Sequence, residues 1–228
     1  MSVWIENTVL PVVQEMMRIF PDGVVITSGI YALLTLSFPF AVMFGSLIEA
    51  TMIFHVLRSG SSYLNFFPTA LTKSSYKHIC RTGFSDPVNS SLSSLSMFTS
   101  MLNSSSLLHQ FPSAPIYMLS VASAYLFSTL SAQSKDLEAL GPQFSQRYYS
   151  SLIFLSILLF LFVSFRIAYS CETMATVILS IPIGLFIGML LVMQNEKLFG
   201  KSSINLIGIP QLSSVTQDGQ KIYLCPKV

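Results

Sequence analysis

Composition indicates a chain that folds in lipid rather than in water. Only 10% of the 228 residues are charged, 52% are hydrophobic, and the mean hydropathy is +0.64. A soluble domain carries about 25% charged residues, so 12 basic and 10 acidic side chains could hardly cover a water-soluble chain of this length. The net charge of +2, with no run of Lys or Arg, excludes an electrostatic footprint for nucleic acid.

Residues 1–22 are predicted to form an interfacial amphipathic helix. One less apolar stripe runs along the segment, apolar side chains fill the rest, and Trp4 could anchor it at headgroup level. The charged residues Glu6, Glu15 and Arg18 argue against a cleavable signal peptide. A buried helix of the bundle is the competing interpretation of this segment.

Long stretches without charge predict about four transmembrane helices and an all-α membrane protein. A span needs about 20 mostly apolar residues to cross ~30 Å of hydrocarbon. The first lies in segment 23–58, and the other three lie in segment 115–193. Pro39 and Pro182 fall inside the first and fourth spans, where we expect them to bend the helix. The four predicted spans are 24–48, 115–133, 149–165 and 173–193.

Small residues recur every four positions in the second and fourth spans. Such residues let two helix backbones approach closely, which is how helices pack within a membrane. We expect the two stripes to face each other or another subunit, although Ser, Ala and Gly are also common in spans without this role. The stripes are Ser120, Ala124, Ser128 and Ala132 in one span, and Thr176, Ser180, Gly184 and Gly188 in the other.

The segments outside the spans differ in composition. Residues 59–114 are rich in Ser, Asn and Pro, which favours a loop over a packed core. Residues 194–228 form a tail in which Asp218-Gly219 precedes a strand-forming run, a pattern that predicts a short β-hairpin. One hairpin is too small to be stable alone, so we expect it to dock onto a partner or onto the bundle.

The distribution of Lys and Arg modestly favours both termini on the cytoplasmic side. This orientation puts Cys80 and Cys171 together on the oxidising side, where a disulfide would hold the long loop against the bundle. Two free thiols are the alternative. The basic residues near the span ends are Arg18, Lys135, Arg147, Lys197 and Lys201 on the side of the termini, and Arg58 and Arg166 on the other.

Few residues in the sequence suggest a chemical function. Glu49 is the one carboxylate that could extend a span, and it would lie deeper if the helix runs on to Leu57. An interfacial ion pair or a snorkelling carboxylate is favoured over a proton relay. The three histidines, His55, His78 and His109, share no metal-ligand spacing. The sequence contains no nucleophile–base set and no phosphate-binding glycine loop, so we predict no catalytic, cofactor or metal residues.

Short motifs are distributed from Phe20 to Cys225. They are Phe20-Pro21-Asp22-Gly23, Ser37-Phe38-Pro39-Phe40, Tyr169-Ser170-Cys171-Glu172, the run Gln194 to Gly200, Ile204-Asn205-Leu206, Ile209-Pro210, and finally Gly219, Tyr223 and Cys225. Together they resemble multi-span virion membrane and minor capsid-associated proteins of large double-stranded DNA viruses of algae and protists. In that group an internal lipid membrane lies beneath an icosahedral capsid. The stretch 85–114 matches least.

This resemblance implies a structural protein without catalytic residues. It would be a minor capsid component that links the internal viral membrane to the capsid, and would lie in a host intracellular membrane during assembly. The implied partners are the lipid bilayer, capsid proteins and further copies of the chain, without nucleic acid. The alternative function is a small membrane channel or transporter, with a water-accessible path at Glu49.

Overall fold

The computed structural model describes residues 10–64, 80, 111–134, 137–138, 142–169, 171–208, 211–215 and 221–224. Its long helices are α1 (Leu10–Thr35), α2 (Phe38–Leu64), α3 (Ala114–Ala132), α4 (Pro142–Ala168) and α5 (Met174–Phe199). A 3₁₀ helix at Lys201–Ile204 follows α5 directly. Two short strands, β1 (Gln211–Val215) and β2 (Lys221–Leu224), lie in the tail.

Four of these helices contain a stretch that is long and apolar enough to cross a membrane. The prediction of an all-α membrane protein with about four such helices is therefore confirmed. The second, third and fourth spans lie where the sequence predicted them, and Pro182 lies inside α5. The candidate spans are Phe38–Ser61 in α2, Ala114–Ala132 in α3, Tyr148–Ala168 in α4 and Met174–Phe199 in α5.

The predicted first span, 24–48, is wrong because two helices meet inside it. α1 ends at Thr35, Leu36 takes a left-handed backbone conformation (φ 49°), and α2 begins at Phe38. Pro39 therefore lies in the first turn of a helix and does not kink one. A helix continuing through Pro39 would lose a backbone hydrogen bond and press the proline ring against the carbonyl group of Thr35, whereas the first turn has no such bond to lose.

The N-terminal segment does not form a separate helix. Val12, Val13 and Met16 are exposed, and the interfacial position of the segment stays a prediction. α1 runs without interruption from Leu10 to Thr35, so residue 22 is not a helix boundary. Val25 and Ala32 on α1 are buried. Packing against the bundle holds the segment helical across the Pro21-Asp22-Gly23 motif, because tertiary contacts override weak local preferences. Residues 1–9, including Trp4, lie outside the described residues.

α1 and α2 form a closely packed antiparallel pair. Near the turn, the rings of Tyr31 and Phe40 lie with their centroids 4.4 Å apart. Further along, a Cβ atom added to Gly29 would lie 2.9 Å from the ring of Phe44. Glycine at position 29 therefore lets the two helices approach each other closely.

α3 is the central helix of the bundle, although its serines dilute its hydrophobicity. In its candidate span 72% of residues are buried within the protein, compared with 11% for the α4 span, so α3 faces protein and α4 faces outward. Tyr117 and Tyr125 are fully buried, and Ser120 and Ser123 are buried beside them. Serine is tolerated in α3 because its neighbours are other helices, where small and polar residues support packing.

The bundle has two ends that differ in chemistry. At the first, here called the disulfide end, Cys80 is bonded to Cys171, and the side-chain amide of Gln14 donates to the hydroxyl group of Tyr169 (3.0 Å). At the second, the tail end, the ring of Phe38 at the start of α2 contacts the ring of Phe199 at the end of α5 (centroids 5.9 Å apart).

Chain direction alternates between these ends. α1, α3 and α5 run from the disulfide end to the tail end, and α2 and α4 return. The first described residues and the end of α5 therefore lie at opposite ends of the bundle, and the prediction that both termini share one side of the membrane stays a prediction. The opposite positions result from the reversal at Leu36, which adds a change of direction that a single span over 24–48 would not contain.

The described part of the tail beyond residue 208 consists of two short paired segments. β1 and β2 pair antiparallel, with Gln211 opposite Leu224 and Val215 opposite Lys221, and with an irregularity between Leu212 and Ser214. The predicted turn at Asp218-Gly219 lies outside the described residues. A closed hairpin therefore stays a prediction.

The alternating chain direction predicts that tags at the two termini lie on opposite sides of the membrane. Protease added to sealed vesicles that contain the full chain is expected to remove one tag and to leave the other intact until detergent is added. Removal of both tags from sealed vesicles, or protection of both, would contradict this arrangement and would support the four-crossing topology.

Candidate functional site

The two small-residue stripes predicted from sequence meet along the α3–α5 contact. A Cβ atom added to Gly184 would lie 2.6 Å from the Ser120 Cβ, and one added to Gly188 would lie 2.7 Å from the Ala124 Cβ. A Cβ on Gly188 would also lie 2.5 Å from the carbonyl oxygen of Val121. The glycines therefore leave no room for a side chain, and the backbones of α3 and α5 are in contact.

The other residues of the two stripes make different contacts. Ser180 is fully buried, and its hydroxyl oxygen accepts a hydrogen bond from the backbone N–H of Ser113 (2.9 Å). Thr176 instead bonds to the carbonyl oxygen of Thr173 (2.8 Å) at the start of α5. Ser128 and Ala132 are half-buried. The closely packed part of the contact thus extends from Ser113 to Ala124 on the α3 side.

At the disulfide end, one buried arginine connects three parts of the chain. Besides the Cys80–Cys171 disulfide, Arg166 donates to the carbonyl oxygen of Cys80 (3.0 Å) and forms an ion pair with Glu172 (2.9 Å). Glu172 also accepts a hydrogen bond from the Ser113 hydroxyl group (2.7 Å). A buried ion pair is costly to break, since removing one partner leaves an uncompensated charge. The structure therefore joins residue 80, the α4–α5 turn and the start of α3.

The sequence identified only part of this arrangement. It paired Cys80 with Cys171, which the structure brings together, but it treated Arg166 as an ordinary flanking charge. The available signal was the six-residue spacing of Arg166 and Glu172 across a short turn beside Cys171. The role of Ser113 had no local signal, because its partners Glu172 and Ser180 lie 59 and 67 residues away in sequence.

Toward the tail end, Asn195 joins three helices. Its side-chain amide donates to the hydroxyl oxygens of Ser46 in α2 (2.7 Å) and Tyr125 in α3 (3.0 Å). Asn195 is buried, and its backbone carbonyl oxygen accepts a hydrogen bond from Ser203 (3.2 Å). Sequence analysis did not single out this residue, which lies within the polar run at the end of α5.

The start of the tail is packed into the bundle. Ile204 is fully buried, and its carbonyl oxygen accepts a hydrogen bond from the side chain of Gln133 at the end of α3 (3.1 Å). Ser203 and Asn205 are also buried. Residues 201–205 are therefore fixed to the ends of α3 and α5, and the tail leaves the bundle from a defined position.

Glu49 lies in the middle of α2 and faces the last turns of α5. α2 runs past Leu57 to Leu64, so Glu49 is midway along the candidate span Phe38–Ser61. Both of its carboxylate oxygens accept hydrogen bonds from the side-chain amide of Gln194 (3.1 and 3.2 Å). An ionisable residue within a span normally has a partner or lines a pathway, and Gln194 is a hydrogen-bond partner of Glu49.

Asp22 is a second carboxylate within the bundle, and sequence analysis missed it. Its side chain is buried, and one carboxylate oxygen has no hydrogen-bond partner among the described residues. Its place in the Pro21-Asp22-Gly23 motif had suggested a helix boundary at the membrane surface. In the part of the chain that the structure describes, no group of three or more His, Cys, Asp or Glu side chains is arranged to hold a metal ion.

Comparison with protein-family models, with curated proteins and with solved structures finds no match to this chain.

The α3–α5 contact predicts a large cost for any side chain at Gly188. Gly188→Ala is expected to lower the free energy of unfolding by about 1–3 kcal/mol, the usual cost of overpacking. Gly45→Ala is the matched control, because a Cβ at Gly45 would meet no described atom within 4 Å, and alanine favours a helix by up to about 1 kcal/mol. Thermal unfolding in one detergent compares the two variants, and equal stability would contradict a closely packed contact.

The contacts of Asn195 predict a smaller cost. Asn195→Ala is expected to destabilise the bundle by about 1–2 kcal/mol, since hydrogen bonds between membrane helices contribute about 0.6 kcal/mol each and two are lost. Met193→Ala, at an exposed neighbouring position, is the control. A double-mutant cycle with Ser46→Ala measures the coupling directly. Strict additivity of the two substitutions would show that the Asn195–Ser46 bond contributes nothing.

Proposed function

We propose that this chain is a structural virion membrane protein, a minor capsid component that connects an internal viral membrane to the capsid through its C-terminal tail. The observation that carries the proposal is the attachment of residues 201–205 to the bundle, described above. A tail that connects a membrane to a shell must leave the membrane-embedded part of the protein at a fixed point. The hydrogen bonds of Ser203 and Ile204 provide such a point.

The path of the chain around this attachment supports the same role. Gly200 and Gly208 both have positive φ angles (79° and 67°), which glycine adopts at little cost. Gly200 ends α5, and Gly208 follows residues 201–205, which pack against the bundle. The chain therefore turns out of α5, packs against the bundle, and turns again before the strands β1 and β2.

The paired segments of the tail supply a means of binding. In the described residues β1 pairs only with β2, so each strand has one edge without a backbone partner. An open strand edge can accept a further strand from another protein, with backbone hydrogen bonds providing affinity. The proposed partner is a capsid protein that adds a strand to this edge.

The orientation follows from the chemistry of the two ends. Disulfides persist in oxidising compartments, so the disulfide end is assigned to the lumenal side. Lys197 and Lys201 are exposed at the tail end, and an excess of basic residues is typical of the cytoplasmic side. A capsid that assembles on the cytoplasmic face of its membrane would then meet the tail. The identification of that shell as viral rests on the resemblance described above.

The first test is removal of the tail. A chain that ends at residue 208 is expected to insert into membranes and to form the Cys80–Cys171 disulfide, because both depend on the bundle, but to be lost from purified virus particles. The full chain is the control and should stay with particles until detergent removes the lipid. Retention of the shortened chain in particles would contradict a role for the tail, and absence of the full chain from particles would contradict the function.

A second candidate function, a small membrane channel or transporter, is favoured by one observation. Glu49 lies midway along a candidate span, and Asp22 is buried on α1 with one carboxylate oxygen that has no partner among the described residues. Intramembrane carboxylates often mark proton or ion pathways. This function requires a water-accessible path through the bundle that includes at least one of the two groups.

Flux measurements distinguish the two functions. For the structural role, vesicles that contain the purified chain are expected to show no proton or cation flux above that of empty vesicles, and Glu49→Gln, which keeps the size of the side chain, should change nothing. For the channel, flux should be present and should fall in Glu49→Gln or Asp22→Asn. Flux above background that these variants abolish would therefore overturn the structural proposal.

A further inference from the structure

Arg166 contacts both cysteines of the disulfide. Its guanidinium group donates a hydrogen bond to the carbonyl oxygen of Cys80 (3.0 Å), and its own backbone carbonyl oxygen accepts one from the N–H of Cys171 (2.9 Å). The two cysteines are 91 residues apart in sequence. One residue near the end of α4 therefore holds the backbone on both sides of the S–S bond.

The disulfide and the arginine beside it are enclosed by the protein. Cys80 is 2% exposed, Cys171 is 1% exposed and Arg166 is 3% exposed. Arg166 is itself held from two directions. Its guanidinium group is paired with Glu172 (2.9 Å), and one helical turn earlier Phe162 is buried against α3 and α5. The arginine side chain therefore cannot turn away from the disulfide without leaving a buried charge unpaired.

We propose that the ion pair of Arg166 and Glu172 is a lock that protects the Cys80–Cys171 disulfide from reduction by thiols. The disulfide becomes reducible only after the contact between Arg166 and Cys80 has opened. A chain with this lock keeps residue 80 joined to the α4–α5 turn when the disulfide end meets a reducing compartment. The lock belongs to the disulfide end alone and does not depend on the proposed link to a capsid.

Reduction of a disulfide requires direct access to a sulfur atom. The thiolate of the reductant attacks one sulfur, the S–S bond breaks, and the other cysteine leaves as a thiolate that takes a proton from water. A second thiolate of the reductant then displaces the first cysteine. The reductant is thereby oxidised by two electrons to a disulfide, and the protein gains two thiols. Because both cysteines are buried, the first attack has to wait for a local opening of the site.

The contacts of Arg166 determine how often the site opens. Moving residue 80 away from the α4–α5 turn breaks the hydrogen bond from Arg166 to the carbonyl oxygen of Cys80. The donor of this bond is charged and the site is buried, and both conditions make a hydrogen bond stronger than a neutral one in water. If Arg166 moved together with Cys80, Glu172 would lose its cation instead. The rate of reduction therefore depends on these contacts.

Reduction kinetics of the full chain test the lock. Dithiothreitol is added to the protein in one detergent, samples are quenched with excess maleimide, and alkylation of Cys80 and Cys171 is followed by mass spectrometry. The variant combines Arg166→Met with Glu172→Gln, which leaves no unpaired charge and keeps an acceptor for the Ser113 hydroxyl group. We expect its disulfide to be reduced about tenfold faster than in the unchanged chain, equal to ~1.4 kcal/mol in the cost of opening. Equal rates in the two folded proteins would overturn the proposal.

Asn195→Ala is the control that separates a local lock from general stability. It removes hydrogen bonds toward the tail end and leaves the contacts of Arg166 in place, so its disulfide should be reduced at the rate of the unchanged chain. An acceleration as large as that of the double variant would mean that reduction passes through unfolding of the bundle, and would overturn the lock.

Two further results bear on the proposal. Thermal unfolding of the oxidised proteins in the same detergent reports whether each variant folds. If the double variant does not fold, Glu172→Gln alone replaces it. This variant removes the ion pair that holds Arg166 and should also be reduced faster, and an unchanged rate would overturn the proposal. Reduction of the unchanged chain as fast as free cystine would contradict any protection of the disulfide.

Discussion

The rest of the bundle depends on the close approach of α3 and α5. Inside a membrane no hydrophobic force draws helices together, because lipid is as apolar as the side chains, so helices associate through packing and hydrogen bonds. Dispersion forces fall steeply with separation, and at Gly184 and Gly188 the absence of a side chain allows the backbones to touch. With α3 in this position, the Tyr117 hydroxyl group reaches the carbonyl oxygen of Ala50 in α2 (3.1 Å).

Polar contacts fix this packing at each end. At the disulfide end Ser113, the residue before α3, bonds to Ser180 in α5 and to Glu172 in the α4–α5 turn, and Glu172 is paired with Arg166 of α4. Toward the tail end Asn195 bonds to α2 and α3. Because the small residues repeat about every turn, α3 and α5 could also pack through them in a register shifted by one repeat. A hydrogen bond between the two helices, in contrast, can form in one register only. The polar groups thus define the register, and the glycines define the separation.

The same contacts connect the membrane-embedded bundle to its tail. Asn195 bonds to α2 and α3 through its side chain and to Ser203 through its backbone, and Gln133 holds Ile204. A displacement of the tail would therefore act on three helices at once. This coupling is the physical basis for proposing a structural protein.

Sequence alone predicted the medium, three of the four spans and the two small-residue stripes. These are consequences of composition and of spacing along one helix, so neighbouring residues carry the whole signal. The Cys80–Cys171 pair was a hypothesis from the predicted topology, and the structure joins the two residues. The tertiary structure decided the reversal at Leu36, the contact between the two stripes, the partner of Glu49 and the contacts of Asn195. A reversal within an apolar run leaves no change in polarity that a sequence pattern could register. The bonds of Asn195 join residues 70 and 149 positions apart, and only the folded chain specifies contacts at such separations.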